Sequence, residues 1–162
     1  MTPSDTAVDR LAAFLLDHGV AGTLVKPGVP TPTVSEAARA LGVSVDRIVK
    51  SVLLVTNDGA SVLVIAPGDR RVDVEKVARF VGASKLKLGS ASQVLEATGY
   101  PAGGVPPVGH PAGLRVVLDA SLLDRDELVG GGGSAEWLLR LTPREVVRVT
   151  GAAVSDVCRP AE

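Results

Sequence analysis

Apolar residues recur at helical spacing through Val8, Leu11, Ala12 and Leu15, predicting a first helix from about Thr6 that Gly19 stops. Residues 20–25 read as a short strand, and Pro27, Pro30 and Pro32 as a linker. Thr33-Val-Ser-Glu36 has the form of a capping box. It opens a short helix through Ala37, Ala38 and Leu41, ended by Gly42, with Ser44 capping one further turn. Ile48 to Thr56 is nearly all apolar and β-branched, the signature of a buried strand. Asn57-Asp58-Gly59 is a hairpin signal, and Ser61 to Ala66 is the return strand. Lys50 is the odd residue of this hairpin. A lysine at the mouth of a strand either extends its ammonium to water or is held as a cation at the edge of a pocket.

Pro67-Gly68-Asp69 reads as a turn, and Asp73 caps a helix carrying Val74, Val77, Ala78 and Val81 before Gly82. Lys85 to Leu88 alternates as a short half-exposed strand, and Ser90 or Ser92 starts a brief helix to Thr98. Then the pattern breaks. Gly99 to Gly113 is too rich in glycine and proline for a helix or a central strand. It is flanked by strong apolar patterning, so it is expected to be an ordered loop on a rigid scaffold. Such a loop is either a wall of a ligand site, with backbone N–H groups as its working parts, or a plain surface connection. Leu114 to Asp119 predicts a central strand, at whose end Asp119 caps, binds a ligand or faces water. Ser121 to Val129 fits helix and strand equally. Gly130 to Gly133 is a second glycine cluster, of a kind usually found in flexible turns. Ala135 to Leu141 reads as a strand, Thr142-Pro143 as a cap with proline at the first helical position, and 152–158 as a last edge strand.

Strands and helices do not alternate strictly, so a doubly wound parallel sheet is not expected. The order predicts a single α+β domain over 1–162, with a core from about 11 to 149. Its sheet is expected to be mixed, partly closed and barrel-like, with helices outside. Aromatic residues are 2% of the chain, so the core must be Val, Leu, Ile and Ala, and stacking platforms for bases are scarce. The formal net charge of −1 is not the footprint of a duplex-DNA binder. Basic residues nevertheless concentrate between Asp69 and Lys87, and acidic ones between Asp119 and Glu136. That distribution would make one end of the molecule basic and the other acidic, and it leaves a weak or transient phosphate-bearing partner allowed. One cysteine and two histidines offer neither a disulfide nor the usual zinc ligands, so no metal and no cofactor are expected. No apolar run is long enough for a membrane span, and the expected compartment is the cytoplasm.

Three features are expected to meet: Lys50, the 99–113 loop, and Gly130–Ser134. Neither glycine cluster ends as a Walker loop or forms a dinucleotide fingerprint. Taken in order, Thr33-Val-Ser-Glu-Ala-Ala38, Ile48-Val-Lys-Ser51, Thr98-Gly-Tyr100, Gly103-Gly-Val-Pro-Pro107 and Gly133-Ser134 carry a resemblance. From about Leu11 to Val149 the chain resembles the YbaK/ProX family of aminoacyl-tRNA deacylases, whose domain also occurs as the editing insertion of bacterial prolyl-tRNA synthetases. The resemblance implies hydrolysis of a mischarged tRNA in trans, with cysteinyl- or alanyl-tRNA(Pro) as typical substrates and prolyl-tRNA synthetase as a candidate partner. It implies a functional, catalytic role for Lys50. It implies a substrate loop at Gly103, Gly104, Val105 and Pro107, and a glycine-rich turn at Gly133 and Ser134, with Asp119 added as a binding residue. In the family the terminal adenosine hydroxyl, or the substrate's own side chain, is taken to assist, so no Ser-His-Asp set is required. Two departures stand out: Ala135-Glu136 replace the family's frequent Arg-Gly, and Thr23-Leu24 stand where some members carry an aromatic residue. The rival reading is a non-catalytic module of the same fold that binds an aminoacyl or tRNA-like ligand, or a synthetase.

Overall fold

The computed structural model describes residues 3–160. Residues 1, 2, 161 and 162, including part of the polar start, lie outside the described residues. Helix α1 (Pro3–Asp17) begins earlier than its apolar spacing suggests and buries Leu11 and Leu15. Helices α2 (Val34–Leu41), α3 (Val74–Val81), α4 (Ala91–Thr98) and α5 (Pro143–Thr150) each start on a side-chain cap: Thr33, Asp73, Ser90 and Thr142. Those four polar side chains accept otherwise orphaned N–H groups of the first turn, so helix starts were readable from local chemistry. The reciprocal capping box forms at Ser90–Gln93; at Thr33–Glu36 the structure has the Thr33 half, Glu36 N–H to Thr33 Oγ1 at 3.1 Å.

The strands are β1 (Gly22–Val25), β2 (Val49–Val55), β3 (Ser61–Pro67), β4 (Lys87–Leu88), β5 (Arg115–Asp119), β6 (Leu128–Gly131), β7 (Leu138–Leu141) and β8 (Ala153–Ser155). They form two sheets, a three-stranded one in the order β1-β7-β6 and a five-stranded one in the order β4-β2-β3-β5-β8. The α+β mixture is as anticipated, with β3–β5 and β5–β8 parallel and the rest of the pairs antiparallel. A closed barrel is not what forms. The two sheets stay open, linked by one isolated parallel bridge between Ile48 and Val129.

Three segments depart from the sequence pattern. Ser121–Val129 resolves into a 3-10 turn at Ala120–Leu122 and then the start of β6. Gly130 and Gly131 belong to β6 rather than to a flexible turn, and β7 starts at Leu138, after a turn, instead of at Ala135. Tertiary packing explains β6: its glycines are strand residues because other backbone lies against them, as described below.

The five-stranded sheet has two covered faces. On one, Val49, Leu53, Val55, Leu63, Ile65, Val116 and Leu118 join Leu11, Leu139, Val146 and Tyr100 in the main core. On the other, Leu54, Val62, Val64, Ala66 and Val117 pack with Val77 and Ala78 of α3 and with Val157 and Cys158. Because both faces are buried, these strands lack polar alternation and read as continuous apolar runs. No helix among the described residues is long and apolar enough to cross a membrane.

Candidate functional site

Strand alternation decides where Lys50 goes. Val49 faces the main core, so Lys50 faces the opposite side, the side of Val62, Val64 and Ala66. In the ladder Lys50 pairs with Ala66, and Ile65 with Leu118, so the next position along β5 is Asp119. Lys50 and Asp119 therefore flank Ala66 in one row, two strand spacings or about 10 Å apart at the backbone. Lys50 makes no hydrogen bond or ion pair to another described residue. It lines a cleft of about 580 Å³ whose other walls are Asp46, Pro67–Arg71, Arg125, Arg159 and Pro160.

Asp119 is 1% exposed, and it reaches this cleft only through a neighbour. Its Oδ1 accepts from Val157 N–H at 2.9 Å, and its Oδ2 accepts from Ser121 N–H at 3.2 Å and from the Ser121 hydroxyl. Arg70 Nη1 lies 3.9 Å from Oδ2. Desolvation is the largest single influence on this carboxyl and pushes its pKa up. The hydrogen bonds from Ser121, Val157 and Cys158 together outweigh it and hold the pKa below the usual carboxylate value. The same burial, and the negative charge of Asp119, push the Cys158 thiol up to about 12, so the lone cysteine is a neutral core residue. Asp119 is thus a buried structural anion whose oxygens accept from Ser121, Val157 and Cys158.

The 99–113 loop is ordered, and its order is built from the backbone. Thr98 Oγ1 accepts from Tyr100 N–H at 3.1 Å, and buried Tyr100 donates its hydroxyl to Gly109 O at 3.3 Å. Arg10 sits over the Tyr100 ring at 5.2 Å and donates to Gly99 O at 2.5 Å. His110 Nε2 contacts Pro106 O at 2.6 Å; burial lowers the imidazole pKa, against the effect of that bond, which favours the neutral ring as donor. Val105 and Val108 are core residues. The loop then lies flat on β6. Gly133 N–H donates to Gly104 O at 2.9 Å. A Cβ on Gly104 would meet Ser134 backbone at 2.7 Å, and one on Gly131 would meet Val105 O at 2.5 Å. At neither position is φ positive; glycine is required there by the approach of two backbones.

The sequence expectation placed Lys50, the loop and Gly130–Ser134 around one cleft. The structure joins the last two directly, while no residue of 99–113 lines the Lys50 cleft. The link runs through the strand. A Cβ on Gly130 would touch both Pro107 Cδ at 3.0 Å and Val49 Cγ2 at 3.2 Å, so loop and lysine adjoin opposite faces of the start of β2. Of the adjacent pair, Gly104 donates its own N–H to Pro101 O at 3.0 Å, while the N–H of exposed Gly103 makes no such bond to another described residue. Ser134 is buried, and its hydroxyl accepts from Glu136 N–H at 3.2 Å. What the sequence missed is the ring of arginines around Lys50. Arg70 and Arg71 lay within the basic stretch already noted, but nothing local pointed to Arg125 or Arg159. Within the acidic stretch, Asp119 stands against Arg70 of the basic cleft, and Glu127 pairs with Arg140 at 2.8 Å.

These features define a class: a small α+β domain with a lysine-centred cationic cleft beside a glycine-cradled loop. The profile of the aminoacyl-tRNA editing domain matches residues 29–149, and the chain belongs to that family, the YbaK/ProX group related to the editing domain of prolyl-tRNA synthetase. The chain is 35% identical over 131 residues to YwhH, an uncharacterized protein of Bacillus subtilis (strain 168), covering 80% of this chain and 83% of the relative. It is 33% identical over 135 residues to a proline–tRNA ligase of Thermosipho africanus (strain TCF52B), spanning 83% of this chain but 24% of the ligase. A crystal structure of a proposed trans-editing enzyme for prolyl-tRNA synthetase superposes with a TM-score of 0.87 at 37% identity, covering 99% of each chain. That of a hypothetical protein, APE2540, gives 0.85 at 40% identity, covering 93% of this chain and 99% of the other. Membership of the family implies an aminoacyl-tRNA substrate and deacylase chemistry.

Proposed function

We propose that this chain hydrolyses the ester of a mischarged tRNA in trans, with cysteinyl- or alanyl-tRNA(Pro) as substrate. The observation that carries the reading is Lys50. It is a half-buried strand lysine without an ion pair to another described residue, opening on a cleft with four arginines. An aminoacyl ester is intrinsically labile, so its hydrolysis needs a fixed geometry more than a strong nucleophile. The Lys50 ammonium supplies a positioned cation for the charged terminus of the substrate. Gly103 N–H belongs to a loop that adjoins the other face of β2 and lines no wall of the Lys50 cleft, so it is a donor outside the part of the site that Lys50 serves. Gly104, Val105, Pro107, Gly133 and Ser134 hold that donor's loop against β6. Asp119 acts through Arg70.

A binding-only reading draws on one observation, that Gly104 spends its N–H inside the loop and so halves the expected donor set. A deacylation panel on tRNA(Pro) charged with Cys, Ala or Ser separates the two. The expected result is turnover of the Cys or Ala ester. Lys50→Ala, with unchanged circular dichroism, is expected to lower that turnover by about 10² or more. A folded Lys50→Ala protein with full turnover removes Lys50 from the mechanism. Wild-type protein that binds all three tRNAs and releases no amino acid establishes the binding module instead.

A further inference from the structure

We propose that Arg70 is a second anion point in the Lys50 cleft, assembled before substrate arrives, and that it holds a phosphodiester of the single-stranded 3′ end of the tRNA. This rests on the editing reading above. Arg70 is the arginine of the cleft that is fixed from behind. Nη2 donates to Arg159 O at 2.6 Å, and Nη1 sits 3.9 Å from Asp119 Oδ2. Asp119 is itself held by Ser121 and Val157, so the guanidinium hangs from a rigid frame. Its side chain is 23% exposed and lines the cleft. Its Nε is buried with no hydrogen-bond partner. That atom is closed to the cleft, so the donors left for a ligand are those of Nη1 and Nη2 not spent on Arg159 O.

The surroundings select the ligand. Five cations line the cleft, Lys50, Arg70, Arg71, Arg125 and Arg159, against the carboxylates of Asp46 and Asp69. Arg125 is already paired, with Asp46 at 3.7 Å and Asp124 at 2.6 Å. Lys50, Arg71 and Arg159 have no ion pair to another described residue. The remaining excess of positive charge calls for an anion. A planar fork beside a lysine point charge suits a phosphate oxygen pair. A carboxylate ligand would match the fork too, but the ester substrate of this family carries its charge on the nucleic-acid backbone. Preassembly also limits the side-chain ordering that binding would otherwise require.

The test compares two substrates: the aminoacyl-tRNA(Pro) that wild-type protein turns over, and the matching 3′-aminoacyl-adenosine, which lacks phosphate. Arg70→Gln is expected to lower the ratio of kcat/KM between the two at least tenfold, chiefly through KM for the tRNA. A second measurement needs no turnover. Uncharged tRNA(Pro) binding is titrated against salt, and the slope of log K on log salt is expected to shrink by about 0.7 in Arg70→Gln, one phosphate contact on a single strand. Because Arg70 is held by the backbone of Arg159, the Arg71→Gln/Arg159→Gln double variant changes only exposed side chains and serves if Arg70→Gln misfolds; it is expected to lower the same ratio about threefold. An unchanged ratio in folded Arg70→Gln, or an equal loss on both substrates, overturns the proposal. Inorganic phosphate competing as well as the tRNA at equal concentration also overturns it, since the site would then be a free-anion site. Wild-type protein that hydrolyses neither substrate while the Arg70-dependent salt slope persists ends the deacylase reading and leaves the phosphate site standing.

Discussion

The Lys50 cleft and the 99–113 loop adjoin opposite faces of one strand, and they are held by opposite means. The loop is held by shape. Two backbones meet at Gly104 and Gly131 with no room for a methyl group, and the side chains that matter, Val105, Val108 and Tyr100, are buried carbon. The cleft is held by charge. A carboxylate with 1% exposure anchors an arginine, and that arginine stands in a wall of cations. A site made of main-chain donors needs close approach, and a site for a polyanion needs fixed charge. This domain puts the backbone-packed loop against the main core and the cationic cleft on the α3 and C-terminal side.

The contrast can be broken, beginning with the largest effect. Gly131→Val forces a side chain into Val105 backbone, which cannot move aside as a flexible side chain would. It is expected to cost about 3 kcal/mol, and a chain of this size then melts about 6–12 °C lower. Thermal denaturation at pH 5, 6, 7 and 8 checks it, and the loss should be the same at each pH, because no charge is involved. A pH-dependent loss would mean that the loop is not held by shape alone.

Asp119→Asn probes the other region. It is expected to cost about 2 kcal/mol at pH 7, the scale of hydrogen bonds to a charged group. Here the sign with pH follows from the depressed carboxyl pKa. Above the unfolded value, near pH 4, both states are ionised and the full contribution is present. As pH falls from there through the folded value, the unfolded chain takes up the proton first and the contribution is lost. Urea titrations between pH 3 and 7 should therefore show wild type and Asp119→Asn converging at the acid end. Parallel curves would mean that Asp119 acts by packing.

Tyr100→Phe gives the smallest effect, about 1 kcal/mol, for one neutral hydrogen bond to Gly109 O. Its urea midpoint should shift equally at pH 5 and 8, since burial raises the phenol pKa further above the neutral range. A larger loss at one pH would tie the loop to a titrating group such as His110.

Much of the domain was legible because its signals are local. Thr33, Asp73, Ser90 and Thr142 cap helices with atoms two or three residues away, and the apolar runs of β2, β3 and β5 announce strands covered on both faces. Gly130–Gly133 misled because a glycine signals a turn when read alone. Here Gly130 and Gly131 are strand residues whose missing side chains make room for Pro107 and Val105, and the reason lies over twenty residues away. Lys50 stood out by itself, but its company did not. Arg159 comes to it only through the C-terminal segment, whose Asp73 N–H to Val157 O and Arg159 N–H to Arg71 O bonds bring the chain end back beside α3.

The sequence by itself determined the helices, the central hairpin, the family, the odd lysine and the glycine-rich loop, because caps, periodicity and short motifs are contracts between near neighbours. Tertiary structure alone decided that the lysine and the loop fall on opposite sides of β2, since a side chain's face depends on pairing register and on which sheet covers it. Asp119 caps the Ala120–Leu122 turn, one of its three sequence readings, and tertiary structure alone decided that this buried carboxylate also stands against Arg70, because that partner is brought to it only by the fold.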